Sequence, residues 1–447
     1  MNTEKTISDF LSNEYKEFAM YSIEGRAIPS VIDGFKPTHR KIIHISNQIW
    51  RTGTEKNLKV FQLAGKVASD AFYHHGNTSL ENAIVTMAQK FKNNAPLLEE
   101  IGQFGSLRSP QPGAARYIGT KLSNNFRFIY KDFDLLQYKE EEGELIEPHY
   151  FLPIIPTILL NGSSGIAVGF SSNILNRDIR DIIDSCTKVL AGKKQSLIKP
   201  SLNEFTGEFI QDKENSKRWI IRGRFQKVNT STVKILELPP SMTYEKYEEI
   251  LDKLVDNKDI VSYDDNCKDN IDYTIKFQRS VLEKLDDTAL IKLLKLEESS
   301  TEIFTSLDEN GKLKIFETAE EIIEYFTNFR LTYYVKRKEY LLDKLNRELK
   351  ILSNRGRFIK AILDEKIKIN NVAKSEIVES IKLFGLDLVD DSYDYLLRMP
   401  IYSLTKELFE KLKEDFIKKK QEIKILEETD PKNMYLEDLQ ELKKRYK

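Results

Sequence analysis

A tyrosine that directly follows an arginine is the first feature of this sequence with chemical potential. The two residues are Arg116 and Tyr117, and the preceding residues 113–115 are too small to cover either side chain. A phenol with a pKa of about 10 attacks as a nucleophile only when its oxyanion is stabilised, and a neighbouring guanidinium supplies that charge. Arg116 can also hold a phosphate through two parallel hydrogen bonds. The pair therefore predicts a tyrosine nucleophile, against the alternative that Tyr117 is a packing residue like most of the 20 tyrosines.

A basic run stands where a helix is expected to begin. Pro37 suits the first turn of a helix, and residues 42–50 continue it with an apolar stripe. Four basic residues accompany that turn: Lys36, His39, Arg40 and Lys41. Basic side chains beside the free backbone donors of a first turn favour phosphate binding. A solvated charge run explains the same residues, so both interpretations stay open at this point.

Residues 73–91 form the clearest helical pattern in the first third of the chain. Their apolar positions recur at helical spacing, and the opposite face is polar but scarcely charged. Such a face can lie against DNA as the second helix of a helix-turn-helix. His75 stands just before this helix without acidic neighbours in ligand spacing, which favours a phosphate contact over a metal site.

An isoleucine among small residues is the fourth candidate. Ile166 follows a glycine- and serine-rich stretch at residues 161–165 and has no apolar stripe of its own. It is either a core residue or an apolar wedge that inserts between base pairs.

Composition sets the broad class. A chain of 447 residues exceeds one ordinary core, so two to four domains are expected. Lysine plus arginine (69) nearly equals aspartate plus glutamate (70), so any basic surface must be local. The two cysteines, Cys186 and Cys267, are far apart, which fits a reducing cytoplasm and excludes a zinc site of the usual spacing. No stretch suits a membrane span or a signal peptide.

The remaining patterns predict a multidomain α+β protein. Residues 6–21 read as an amphipathic helix that needs a partner surface, and residues 200–315 alternate strand and helix patterns. Long helical patterns at residues 319–352 and 404–426 enclose a small helical module at 357–400, which predicts an antiparallel coiled coil with a knob at its tip. The basic end of the chain is expected to fray. We divide the chain into residues 1–152, 153–318 and 319–447.

Several segments together resemble the breakage and reunion part of type IIA DNA topoisomerases. They occur in the family's order: residues 26–29, 33–41, 105–106, 114–117, 161–169 and 395–405. The resemblance implies a winged-helix (helix-turn-helix) DNA-gate domain with the catalytic tyrosine, an α+β tower domain, and a coiled coil with a dimerisation knob.

The resemblance also implies roles for single residues. Tyr117 is the nucleophile, and Arg116 assists it on the phosphate. The implied DNA-binding residues are Arg26, Lys36, His39, Arg40, Lys41, His75 and, as the wedge, Ile166. Thr78 and Asn82 match the helix positions where quinolones dock in bacterial relatives. Asn82 departs from the acidic residue that is common there, which puts drug sensitivity in doubt.

The implied activity is reversible DNA cleavage within an ATP-dependent enzyme. Because one tyrosine cuts one strand, the expected assembly is a homodimer on double-stranded DNA. The sequence has no glycine-rich ATP site, and Asp132 and Asp134 read as surface residues, so Mg²⁺ and ATP are expected on a partner subunit. Two alternatives remain: a DNA-organising coiled-coil protein without catalysis, and a shortened gyrase A or topoisomerase IV protein.

Overall fold

The structure is a computed structural model that describes residues 7, 11–53, 55–73, 76–268, 270–389, 391–400 and 405–446. The chain divides into two compact units. Unit 1 comprises Met1–Arg330 and Asp438–Lys447, and unit 2 comprises Leu331–Glu437. Helices and strands are numbered in chain order among the described residues.

The first part of unit 1 is mainly helical. Its helices are α1 (Lys16–Ser22, between π-helical turns Leu11–Tyr15 and Ile23–Ala27), α2 (Pro37–Ile49), α3 (Val60–Asp70), α4 (Asn77–Ala88), α5 (Asn124–Ile129) and α6 (Thr157–Leu160). Its strands are β1 (Leu58–Lys59), β2 (Gly119–Thr120), β3 (Tyr130–Lys131), β4 (Tyr138–Glu141), β5 (Glu144–Pro148) and β6 (Leu152–Pro153). Helices α2, α3 and α4 pack on one another.

Two helix predictions in this part are confirmed. Helix α2 begins at Pro37 and buries Ile42, Ile43 and Ile45, as its spacing predicts. Helix α4 occupies the predicted segment but is shorter than residues 73–91. It ends at Ala88 because the next side chain, Gln89, turns inward and donates to the Phe104 carbonyl over 2.7 Å.

The second part of unit 1 alternates strands and helices, which confirms the mixed α/β pattern. Its strands are β7 (Ser163–Ile166), β8 (Ser171–Ile174), β9 (Glu208–Gln211), β10 (Arg218–Arg222), β11 (Arg224–Asn229), β12 (Thr232–Glu237), β13 (Ser262–Asp265), β14 (Tyr273–Lys276), β15 (Glu297–Thr301), β16 (Phe304–Leu307) and β17 (Leu313–Phe316). Its helices are α7 (Ile179–Leu190), α8 (Tyr244–Asp256), α9 (Arg279–Leu282) and α10 (Asp287–Leu293).

Antiparallel sheets organise this second part. One sheet has the order β11-β12-β14-β13 and another the order β15-β10-β9, while β7 and β8 form a two-stranded hairpin. The larger sheet packs on α8, because Val233 and Ile235, alternate residues of β12, join Leu251 of α8 in one buried cluster. These residues make a separate core within unit 1.

Buried ion pairs connect distant segments of unit 1. Arg177 and Glu302 pair at 2.5 Å, and Arg330 and Asp132 pair at 2.5 Å. The expectation that Asp132 is a surface residue is therefore wrong. Its carboxylate is needed to satisfy a guanidinium that is fully buried.

Unit 2 contains two long helical segments joined by a small helical module. Its elements are α11 (Ala319–Leu363, which begins in unit 1), α12 (Lys374–Leu383), α13 (Asp394–Leu397), α14 (Lys406–Glu428) and the first part of α15 (Pro431–Arg445). Lys338 donates to the carbonyls of Glu427 and Thr429, and Lys419 pairs with Glu348. These contacts run in opposite chain directions, so α11 and α14 are antiparallel.

Helix α11 continues about one-third further than its sequence pattern predicts. The expected end lay near Leu352, but Phe358, Ile359 and Ala361 still bury an apolar face and prolong the helix to Leu363. Phe358 and Ala361 belong to a small core with Ile381 and Leu396. The module between the long helices therefore has its own packed interior.

The described end of the chain, up to Tyr446, is helical and bonded to the rest of unit 1, which corrects the expectation that it frays. Helix α15 reaches Arg445, Lys443 forms an ion pair with Asp184, and the Tyr446 hydroxyl donates to Asn125 over 2.7 Å. Basic side chains near a helix C-terminus also match the helix dipole. Among the described helices, none is long and apolar enough to cross a membrane.

Candidate active site

Tyr117 is exposed on a short loop that leads into β2. Its side chain is 68% exposed, whereas the next residue, Ile118, is buried. The Tyr117 amide donates to the Ala114 carbonyl over 2.8 Å, which closes a tight turn. The small residues before it leave the phenol uncovered, so its hydroxyl is open to an incoming ligand.

The backbone around Tyr117 is fixed even though its ring is free. Lys59 Nζ donates to the Tyr117 carbonyl over 2.6 Å. The first-turn amides of α3, from Val60 and Phe61, donate to the carbonyls of Ile118 and Ala115. Helix donors that have no partner inside the helix are thus used to hold this loop. Such anchoring gives a nucleophile a defined direction of attack.

Arg116 lies over the Tyr117 ring. The guanidinium carbon is 5.0 Å from the ring centroid, and the Arg116 side chain is exposed. A cation in this position is attracted by the aromatic ring. The two residues therefore form one exposed unit that can act on a phosphate.

The first turn of α2 contributes Lys36 and His39. Lys36 Nζ donates to the Ser164 carbonyl over 2.7 Å, and burial lowers the pKa of Lys36 below its usual value. Burial, with smaller effects from Lys36 and Arg40, lowers the pKa of His39 to about 4. His39 is therefore neutral at pH 7, so its imidazole offers hydrogen bonding but no positive charge.

Arg40 is directed inward, which corrects its expected role in phosphate binding. It forms two hydrogen bonds with Asp33, from Nε over 2.8 Å and from Nη2 over 3.0 Å. Asp33 is fully buried and also accepts from the amides of Phe35 and Phe151. Arg40 thus neutralises a buried carboxylate that organises the start of α2.

Lys41 is also used inside the protein. Its Nζ lies 3.0 Å from the carboxylate of the buried Glu147 and donates to the Ala71 carbonyl over 2.5 Å. Only 13% of the Lys41 side chain is exposed. The structure therefore separates the basic run: Lys36 and His39 are half-buried and line a cavity, whereas Arg40 and Lys41 pair with buried carboxylates.

Ile166 ends strand β7 with its side chain 88% exposed. It has a strand position, although the sequence showed no stripe for it. The preceding residue must be glycine, because a Cβ at Gly165 would lie 2.1 Å from the Ala27 carbonyl oxygen. The hairpin therefore packs closely against the backbone before α2 while it presents a bare isoleucine to solvent.

The polar face of α4 is open as well. Thr78, Asn82 and Thr86 are exposed at successive turns of the helix, and Arg26 is exposed before α2. His75 lies outside the described residues. The other candidates thus belong to surfaces that a ligand can reach.

A cavity of about 710 Å³ brings some of these elements together. Its lining includes Lys36 and His39 from α2, Thr86 from α4 and Ser164 from β7. Tyr117, Arg116 and Ile166 do not line it. Of the predicted phosphate contacts, this recess therefore holds Lys36 and His39, and the nucleophile and the wedge lie outside it.

Sequence reasoning missed two residues that support the site, Lys59 and Arg108. Lys59 holds the carbonyl of Tyr117, and Arg108 is buried with four hydrogen bonds to residues 237–242. Neither belongs to a recognisable spacing. A single arginine inside the glycine-bounded loop at 105–113 was the only available signal for Arg108.

Resident metal ligands are not assembled in the described part of the chain. No group of three or more His, Cys, Asp or Glu side chains stands together there. Asp132, the first acid of the only Asp-x-Asp near the site, is engaged by Arg330. These side chains by themselves do not fit a Mg²⁺ site.

Comparison with known proteins agrees with this geometry. Residues 26–441 match the family model that describes the A subunit of DNA gyrase/topoisomerase IV. The chain is 33% identical over 445 residues to the DNA topoisomerase medium subunit of Enterobacteria phage T4, and the match covers 98% of this chain and 99% of that protein. It is 34% identical over 487 residues to DNA topoisomerase 2 of Plasmodium falciparum (isolate K1 / Thailand), covering 98% of this chain.

The chain spans about a third of the length of the Plasmodium protein, since the match covers 34% of it. A solved structure of a related domain has a similar fold. It is the crystal structure of the Plasmodium falciparum topoisomerase II DNA-binding, cleavage and re-ligation domain, with a TM-score of 0.85 and 34% identity, and the match covers 98% of this chain and 64% of that one. The family model covers most of the chain and the T4 relative is matched over almost its whole length, so the chain belongs to the type IIA DNA topoisomerases, in the family of the DNA gyrase/topoisomerase IV A subunit.

Proposed function

We propose that this chain is the DNA-cleaving and re-ligating subunit of an ATP-dependent type II DNA topoisomerase. The observation that carries the proposal is the exposed Tyr117 with Arg116 over its ring, on a loop whose backbone is held by Lys59 and α3. A packing tyrosine would be covered by its neighbours. An exposed phenol on an anchored loop suits attack on a large substrate that arrives from solvent.

The reaction is a phosphodiester exchange. The Tyr117 oxygen attacks a backbone phosphorus in line, the bond from phosphorus to the 3' oxygen breaks, and a 5'-phosphotyrosine forms. The phenol loses its proton, and the departing 3' oxygen gains one to become a hydroxyl. Because one phosphodiester replaces another, the step is nearly energy-neutral and resealing needs no ATP.

Other residues hold the DNA during this exchange. Arg116 pairs with the reacting phosphate through its guanidinium. Lys36 and neutral His39 contact the backbone near the cut, and His75 and Arg26 extend these contacts. Arg40 and Lys41 are left out of the contact set, because their side chains satisfy Asp33 and Glu147.

Ile166 and α4 shape the bound duplex. A bare isoleucine at the end of a hairpin suits insertion between base pairs, which bends the duplex at a cost of a few kcal/mol that extra contacts offset. The exposed polar face of α4 lies against DNA as the second helix of a winged-helix domain. Thr78 and Asn82 on that face are the candidate positions for quinolone binding.

The active assembly contains two copies of this chain. Each Tyr117 cuts one strand, so a double-strand break requires a homodimer with a two-fold axis. The proposed division is a DNA-gate domain at 1–152, a tower at 153–318 and a coiled-coil arm at 319–447. The antiparallel α11 and α14, with the small core between them, support the arm and its dimerising knob.

We place the ATPase and most of the Mg²⁺ binding on a topoisomerase large subunit. The name of the T4 relative, a medium subunit, supports an assembly with other subunits. That partner carries the ATPase and the domain that binds most of the Mg²⁺, which stabilises charge on the phosphate oxygens when it is bound. The cytoplasm, in a phage-infected host if the source is a phage, is the proposed location.

The first helix is the proposed docking surface for that large subunit. Leu11, Tyr15 and Phe18 are 50%, 44% and 60% exposed, although the helical spacing predicts a buried face. Removal of residues 1–20 should abolish co-purification with the large subunit while tryptophan fluorescence stays native. Unchanged complex formation by the shortened chain would rule this surface out.

Strand passage tests the proposed function. The chain and its large subunit, mixed with supercoiled plasmid, Mg²⁺ and ATP, should change the linking number of single topoisomers in steps of two. With a non-hydrolysable analogue in place of ATP, the linking number should change once by two and then stay constant. Steps of one, or compaction of the plasmid without any change in linking number, would contradict the proposal.

A further inference from the structure

The loop at residues 103–113, here called the anchor loop, connects the α4 region to the Tyr117 stretch. Its ends are joined because the Gly113 amide donates to the Gln103 carbonyl over 2.9 Å. Inside it, the Ser106 amide donates to the Ser109 carbonyl over 2.9 Å. Gly105 has φ +84°, and a Cβ there would lie 2.7 Å from the Pro110 oxygen. The anchor loop is therefore a compact body rather than a loose connection.

Arg108 fastens this loop to the connection between β12 and α8. Its Nη1 donates to the carbonyls of Pro239 (2.7 Å) and Met242 (2.9 Å). Its Nη2 donates to the Leu238 carbonyl and to the Glu237 carboxylate, each at a distance of 2.5 Å. The side chain is 7% exposed. One planar guanidinium thus serves four acceptors, which a lysine ammonium with a single nitrogen cannot reach together.

The backbone of Arg108 strengthens the same attachment. Its carbonyl accepts from the Tyr244 amide over 3.1 Å, at the first turn of α8. The second oxygen of Glu237 is held by the amide and hydroxyl of Thr206, so the carboxylate cannot follow a moving guanidinium. Both partners in the Arg108 contact are therefore held by further hydrogen bonds.

The anchor loop is also bound to α4 and to the nucleophile. Gln89, at the end of α4, donates to the Phe104 carbonyl over 2.7 Å and is buried. The Gly113 end of the loop continues directly into residues 114–117. Only residues 114–116 separate Gly113 from Tyr117, so the position of the loop's end constrains where the Tyr117 turn begins.

We propose that Arg108 is a positioning residue that holds the anchor loop on the β12–α8 connection and so sets the direction of the Tyr117 hydroxyl. This inference rests on the proposed role of Tyr117 as the nucleophile. Arg108 itself does not contact Tyr117 and does not line the cavity that holds Lys36 and His39, although its neighbours Leu107 and Pro110 do. Its effect is geometric: displacing a reacting group by about 1 Å can slow a reaction about 100-fold.

The test compares two buried arginines that make similar bonds. Arg330 donates to Asp132 over 2.5 Å and to the Pro153 carbonyl over 2.9 Å, it is fully buried, and both of these acceptors lie outside the anchor loop. Arg108→Lys and Arg330→Lys are each assembled with the large subunit. Two quantities are measured for each complex: the Kd for a duplex oligonucleotide, and the single-turnover rate of covalent adduct formation at saturating duplex with Mg²⁺.

Arg108→Lys should lower the single-turnover rate about 10-fold, and Arg108→Ala about 100-fold, with Kd within about 3-fold of wild type. Arg330→Lys should keep the wild-type rate within about 2-fold, whatever its thermal stability. If Arg108→Ala does not fold, the comparison of Arg108→Lys with Arg330→Lys tests the proposal by itself.

Equal rates for Arg108→Lys and Arg330→Lys would overturn the positioning role. So would a rise in Kd that matches the fall in rate, because Arg108 would then act on DNA binding. If the wild-type complex formed no covalent adduct, the proposed function itself would fail, and the two failures are thereby distinguished.

Discussion

Arg40 and Lys36 lie four positions apart at the start of α2 and have different roles in the structure. Arg40 pairs with a buried carboxylate, and Lys36 is half-buried with one hydrogen bond. Arg40→Leu leaves the fully buried Asp33 without its cation, although two amides still donate to that carboxylate. Removing one partner of a buried ion pair costs about 3–5 kcal/mol. The two remaining amide donors place the expected loss of unfolding free energy near the lower end, about 3 kcal/mol.

Lys36→Leu should have the opposite profile. Its bond to the Ser164 carbonyl is a single hydrogen bond at a half-buried site, worth about 1 kcal/mol. If Lys36 contacts a phosphate, its loss should reduce the slope of log K against log salt for duplex DNA by about one. Arg40→Leu should leave that slope unchanged.

Urea unfolding followed by tryptophan fluorescence suits this comparison. The only tryptophans of the chain, Trp50 and Trp219, are both buried in unit 1, so their emission reports that unit alone. Arg51→Leu, at an exposed position just after α2, serves as the control and should change stability by less than about 0.5 kcal/mol. Near-native stability for Arg40→Leu, with a salt slope reduced by about one, would refute the assignment.

Three further predictions concern the hairpin and His39. Gly165→Ala should destabilise unit 1 and shift Ile166, because the added Cβ would meet the Ala27 carbonyl. The control is Gly65→Ala in α3, where the added Cβ meets no atom within 4 Å, and it should stabilise the fold by about 0.5–1 kcal/mol. Urea unfolding measures both changes. Ile166→Ala should reduce the bend of a bound duplex, measured by energy transfer between its ends, with little change in salt slope. As pH falls from about 6.5 to about 4, His39 should lower the free energy of unfolding, because it gains a proton in the unfolded chain but not in the folded chain, where its pKa is about 4. In His39→Gln, the free energy of unfolding should depend less on pH within this range.

Sequence periodicity predicted the long elements because their spacing is local. Pro37 starts α2 and the apolar stripe continues it, and the α11 pattern is helical without a break. Where prediction failed, a distant partner decided. Helix α11 passes its expected end because Phe358 and Ala361 pack on residues of the module that follows, and the last turn of α15 is held by Asp184 and Asn125.

The same reason explains the basic run at the candidate site. Lys36, His39, Arg40 and Lys41 are equivalent in a sequence, since each is a basic side chain near a helix start. The acids that divide them are Asp33, close in the chain, and Glu147, more than a hundred residues away. Arg108 was invisible for a related reason, since its four acceptors lie about 130 residues further along the chain.

The exposed residues were easier to predict than their supports. Tyr117 and Ile166 stand among small residues that cannot cover them, and both side chains are bare in the fold. Exposure alone assigns no reaction to either residue. The chemical roles rest on the neighbouring Arg116 and on the anchoring of each backbone by Lys59 or by the tight contact at Gly165.

The most direct test of the account identifies the residue that becomes covalently joined to DNA. The chain is mixed with its large subunit, supercoiled DNA and Mg²⁺, denatured with detergent, and digested with nuclease and protease, and the modified peptide is identified by mass spectrometry. Wild type and Tyr138→Phe, which alters another exposed tyrosine, should carry the 5'-phosphate on Tyr117, and Tyr117→Phe should carry none. A covalent adduct that persists in Tyr117→Phe, or one joined to a different residue in wild type, would contradict the account.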